Sequence, residues 1–277
     1  MSTSTIAVCA AGPGTRPPCR AFLGTVLLLF VVSAAVTAAW GLSMSHMAGL
    51  PMPGGWTMSM AWTPMCGQTW LGAGLSFLGM WAVMMIAMML PVLTPMLWRY
   101  RQSISNAVSG QRLDTLTALA GLAYLLVWVL LGAVLFPLGA GLREVGLLLP
   151  GISRAVPLVA GAAVLFAGGL QFTGWKSRCL SRCRHPSICC GRVRPRETPG
   201  AAWRHGLHLA NHCGRCCGNL MVVLLVLGAM DLAAMAFVTA AIAAERFDPS
   251  GDRVARAVGI IVMAVGLVLT AQAVSTL

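Results

Sequence analysis

The chain has 277 residues, of which 58% are apolar and only 9% are charged, and its formal net charge is +12. A soluble domain carries roughly 25% charged residues, so the composition excludes a water-soluble globular protein and points to the bilayer. The basic residues stand between apolar runs, where they read as topology signals and attraction to anionic lipid, and no nucleic-acid role is inferred.

A helix needs about 20 apolar residues to cross a hydrocarbon core about 30 Å thick. Six stretches approach that length: Ala21 to Trp40, Leu71 to Leu97, Leu116 to Ala140, Ala155 to Gln171, Leu220 to Ala244 and Ala255 to Leu277. None shows the alternating strand pattern of a barrel, and unpaired backbone in lipid is costly. The expected fold is therefore an all-α polytopic transmembrane bundle of about six spans, a single membrane domain over residues 21–277 behind a cytoplasmic tail at 1–20. The first span follows Arg16 and Arg20 and reads as a retained anchor rather than a cleaved signal, because its apolar length is that of a span. Most of the 19 Lys and Arg fall in the tail, after the second span and between Lys176 and Arg215, which places both termini in the cytoplasm of an inner (plasma) membrane protein. On that topology Arg143, Arg154, Arg246, Arg253 and Arg256 lie outside.

Between the first and second spans, the segment from Gly41 to Trp70 carries no charge and collects Met44, His46, Met47, Met52, Met58, Met60, Met65 and Cys66. Thioethers are weak neutral ligands that suit Cu(I), so an outer copper acceptor is one reading. The other is an interfacial anchor, because Trp40, Trp56, Trp62 and Trp70 would sit in the aromatic belt. In the second span Met80, Met84 and Met88 repeat every four residues with Met85 and Met89 beside them, a stripe that fits either pliable packing or a conduit.

The segment between the fourth and fifth spans, residues 172–219, is rich in Cys, His and Arg. Cys179 and Cys183 are four apart and share a helix face. His205, His208, His212 and Cys216 form a second stripe, with Cys213 and Cys217 on the face beside it. Thiolates bind Cu(I), Zn(II) and iron–sulfur clusters, a dithiol face suits Hg(II) equally well, and carboxylates are nearly absent here, which argues against calcium and magnesium. Cys179, Cys183, Cys213 and Cys216 would supply a tetrahedral site across two cytoplasmic arms, acceptable to zinc as well as copper. Inert reduced thiols are the competing reading, and disulfides are not expected in a reducing compartment. Further on, Asp231 stands inside the apolar run of the fifth span. It is either protonated and bonded to another helix or in contact with a passing cation.

Four separated motifs resemble the DUF2182 family of predicted metal-binding integral membrane proteins. They are Trp81 to Pro91; Gln171 with Lys176; Cys179 to Pro186; and Cys213 to Met221, followed by Gly228 to Asp231 and by Glu245 and Arg246. Arg215 and Gly218 depart from the Gly and Trp usual at those positions, and Asp231 stands where the family commonly has Asn. The resemblance implies a multi-spanning bacterial protein with a metal site and supplies no reaction. The leading expectation is binding or translocation of Cu(I) between the outer Met loop and the inner thiols. A metal-pinned scaffold or assembly factor is the alternative, and zinc or mercury handling a further one. A periplasmic or cytoplasmic metal carrier is the expected partner. With no phosphate-binding loop, catalytic triad or thioredoxin-like Cys-x-x-Cys, no enzymatic activity is expected.

Overall fold

The computed structural model describes residues 19–45, 49–64, 67–184, 197–228, 231–248 and 250–275. Their eight helices are α1 (Cys19–Ser45), α2 (Trp70–Ile104), α3 (Gly110–Leu148), α4 (Pro150–Leu170), α5 (Gly174–Arg184), α6 (Pro199–Leu227), α7 (Leu232–Phe247) and α8 (Gly251–Ser275). Six of them, all but α5 and α7, are long and apolar enough to cross a membrane. The all-α bundle is as expected. Its surface is inside-out by the standard of a soluble protein: Leu28 on α1, Leu122 and Leu138 on α3, and Ile260 and Leu267 on α8 are exposed, while Arg101, Lys176 and Glu245 are buried. Exposed apolar side chains over buried charge are compatible with a multi-pass membrane protein.

Helix α2 runs between two ends that differ in chemistry. At one end, which also holds Arg99 and Arg101, the Phe22 ring of α1 packs on Trp98 at 5.4 Å, and Arg112 of α3 donates to the Glu197 carbonyl just before α6. This is the basic end. At the other, the chain forms a small antiparallel hairpin, β1 (Leu50–Pro51) with β2 (Thr57–Met58), turned through Gly54 and Gly55 at positive φ. The Trp56 indole donates to the Ser153 carbonyl at 3.0 Å and the Ser153 hydroxyl to the Pro53 carbonyl at 2.5 Å, so the hairpin is tied to the start of α4.

Helices α3 and α6 run parallel and close together. A Cβ on Gly206 would strike the Ala120 carbonyl and the Ala123 side chain. Helices α4 and α8 approach through Gly161, Gly168, Gly259 and Gly266, the small-residue contact common between membrane helices.

The fifth apolar run departs most from expectation. It is not one span from Leu220 to Ala244. Helix α6 rises 29 residues from the basic end and stops at Gly228, whose φ of 120° only glycine adopts without strain. Helix α7 then starts afresh at Leu232 and returns toward the basic end, where its last turn meets Lys176 and Cys213. Helix α8 climbs again, and Gln272, Ala273 and Ser275 join the hairpin end. The expected placement of both termini on one side falls on residues outside those described, but the described ends lie apart, α1 beginning at the basic end and α8 finishing at the hairpin end. Arg246, Arg253 and Arg256 also change ends, because α7 brings the chain back. The fourth span is longer than its apolar core suggested, since Pro150 opens the helix at its first turn.

Candidate metal centre

Cys213 and Cys217 lie one turn apart on the face of α6 that meets α3, and both are buried. Their sulfurs are 3.6 Å apart, and the Cys217 thiol donates to the Cys213 carbonyl at 3.0 Å. Thiolate–metal bonds of about 2.3 Å would span that separation at an S–metal–S angle of about 100°, which leaves space for a third soft donor. Such donors are in the same buried cluster: Met221, one turn beyond Cys217, and Met84, Met85, Met88 and Met89 of α2. Met84, Met85, Met88 and Met89 of the Met stripe are thus buried in the same core as the thiols rather than turned outward.

Two polar side chains bond to this pair. Tyr124 of α3, one of only two tyrosines in the chain, donates its hydroxyl to Cys213 Sγ at 2.9 Å. Arg246 of α7 donates from Nη2 to the same sulfur at 3.0 Å and from Nη1 toward Met96 Sδ at 3.9 Å. One step behind, Lys176 pairs with Glu245 at 2.8 Å and donates to the Cys216 carbonyl at 2.6 Å, while Gln171 donates to Glu245 at 2.9 Å. This network binds α4, α5, α6 and α7 together around the thiols.

Cys179 and Cys216 go elsewhere. They share a separate small cluster with Leu180 and Ala255, on the neighbouring face of α6. Among the described residues no group of three or more His, Cys, Asp or Glu is close enough to hold a metal ion. The expected tetrahedral site of Cys179, Cys183, Cys213 and Cys216 is therefore not assembled there, because Cys213 and Cys216 look out from different faces; the Cys183 side chain lies outside the described residues. Of the histidine stripe, His205 stacks on Tyr100 at 4.5 Å between ring centroids, His212 is half-buried and His208 is exposed.

Asp231 is not buried within the protein. It is exposed at the hairpin end, where its carboxylate accepts from the amides of Ala233 and Ala234 at 2.8 and 3.0 Å as the N-cap of α7. It borders a cavity of about 890 Å³ at the mouth of the bundle, lined also by Trp56, Met58, Trp62, Leu227 and Gln272. Met58 is buried on β2, Met60 is half-buried in the 3-10 turn Met60–Trp62, and Met44 ends α1 half-buried. His46 and Met47 lie outside the described residues, as do Met65 and Cys66.

Sequence reasoning did not find Tyr124, and it placed Arg246 in an outer loop. The available signals were a lone phenol in an apolar span and a Glu-Arg pair at the end of an apolar run. Among known families, the model of one described as PpoB2, copper chaperone, matches residues 78–269, more than half of the chain and all of the helices that build this site. No curated protein and no solved structure matches the chain.

Proposed function

The chain belongs to the PpoB2 family of copper chaperones, and from that premise we propose that it is a multi-pass membrane protein that carries Cu(I) as cargo on Cys213 and Cys217. The carrying observation is the pair of buried sulfurs 3.6 Å apart in an apolar core that also buries Met84, Met85, Met88, Met89 and Met221. Soft thiolate and thioether donors select Cu(I) over the hard cations, and Zn(II) would ask for four ligands of the kind not gathered at this pair. The DUF2182 resemblance covers much the same stretch of chain, and its triple-thiol motif contains both cargo ligands.

Lys and Arg gather on the cytoplasmic side of membrane proteins, so the basic end faces the cytoplasm of the inner membrane. The cavity of Trp56, Met58 and Asp231 then opens to the outer compartment. Cargo exchanges between that mouth, where Met58 offers a weak thioether donor, and the core dithiol, where binding is strong. Affinity rises along the path, and ligand exchange needs no bond made or broken in a substrate, so the activity is not enzymatic. A soluble metal carrier is the partner at the outer mouth.

Anaerobic Cu(I) loading of the purified chain tests this reading. Cys213→Ser with Cys217→Ser is expected to abolish the bound ion, and Cys216→Ser to keep it. Unchanged stoichiometry in the double variant would overturn the assignment.

A further inference from the structure

The cargo site contains a permanent cation. The Arg246 guanidinium, which does not lose its proton in proteins, lies 3.0 Å from Cys213 Sγ, with its other nitrogen toward Met96. It is delivered by the last turn of α7, and the Glu245–Lys176 pair beside it in the chain fixes that turn. A positive neighbour repels a free cation but favours the thiolates that bind it, so its net effect depends on the charge of the loaded state.

Loading with Cu(I) replaces two S–H bonds by two S–Cu bonds, releases two protons and changes no oxidation state. Two thiolates with one Cu(I) carry one negative charge, and the guanidinium brings the group to zero. Two thiolates with one divalent ion are already neutral, and the guanidinium, half-buried beside Cys213, then keeps its charge unbalanced and gives the loaded state no attraction. We infer that Arg246 is a specificity-determining residue of the cargo site, setting it for a monovalent soft ion against a divalent one by charge balance. The inference rests on the Cu(I) reading of Cys213 and Cys217. For a guanidinium about 5 Å from the ion at an effective dielectric near 20, the extra unit of repulsion amounts to on the order of a hundredfold in relative affinity.

The test uses the full chain in detergent, with Cu(I) measured anaerobically against a competing chelator and Zn(II) titrated separately. Arg246→Gln is expected to lower the Cu(I)-to-Zn(II) affinity ratio roughly a hundredfold, and Arg246→Lys, which keeps the charge, to stay within about tenfold of the parent. An unchanged ratio in Arg246→Gln overturns the inference while leaving the Cu(I) reading intact. If Arg246→Gln does not fold, Arg246→Lys decides: a ratio that collapses despite the retained charge overturns it. Cu(I) retained in the Cys213→Ser, Cys217→Ser double variant overturns the underlying reading instead, so the two failures are distinct.

Discussion

Lys176 and Glu245 are 1% and 2% exposed and 2.8 Å apart, which makes each the other's condition for being buried. Removing one partner of such a pair leaves a stranded charge and costs about 3–5 kcal/mol, whereas replacing both with apolar residues is often neutral. Glu245→Leu is therefore expected to lower the thermal midpoint sharply and, by freeing the end of α7, to weaken Cu(I) binding. Adding Lys176→Met should restore most of the stability. A double variant no more stable than Glu245→Leu alone would contradict the pairing. At this scale the sequence was partly legible. The four-residue spacing of Cys213 and Cys217 on a helix puts two sulfurs on one face whatever else the chain does. Arg246 was hidden because its contact with Cys213 depends on the chain turning back between them.

That turn is the decisive event at the level of elements. Hydropathy sums over Leu220 to Ala244 and reads one span, because Gly228 is apolar enough to pass and one Asp barely lowers the average. The local signals were present: a glycine able to take positive φ, then an Asx residue where a helix begins. Capping also accounts for the departure from the resembled family, since Asn and Asp cap about equally well. Asp231→Asn should leave stability and Cu(I) affinity nearly unchanged, and Asp231→Ala should cost about 1 kcal/mol, read in thermal unfolding. A large loss of Cu(I) affinity in Asp231→Asn, with stability unchanged, would restore the carboxylate as a cargo ligand. The hairpin was illegible for another reason. Its Met and Trp residues suit a lipid interface or a metal loop equally, and only the bonds from Trp56 and Ser153 show that it docks on the bundle.

Turning α7 back reverses the chain once more, and so the molecule as a whole has its described ends at opposite ends of the bundle. The charge distribution argues for this arrangement independently of the coordinates. On the earlier topology Arg246, Arg253 and Arg256 stood outside with Arg143 and Arg154; with α7 reversed they join the basic end, and Arg143 and Arg154 are the described basic residues left opposite. The positive-inside bias is thus stronger on the corrected path, as insertion requires. A reporter joined after Ser275 should read as external, and reporters inserted after Ala107 or Ser250 as cytoplasmic. Tagging at Gly55, the exposed residue of the hairpin turn, should match Ser275. If the Ser275 reporter reads cytoplasmic, α7 does not return, Arg246 cannot reach Cys213, and the guanidinium is no part of the metal site. The sidedness of one chain end therefore decides whether the charge-balanced dithiol exists, because the same reversal that moves the terminus carries Arg246 into the core.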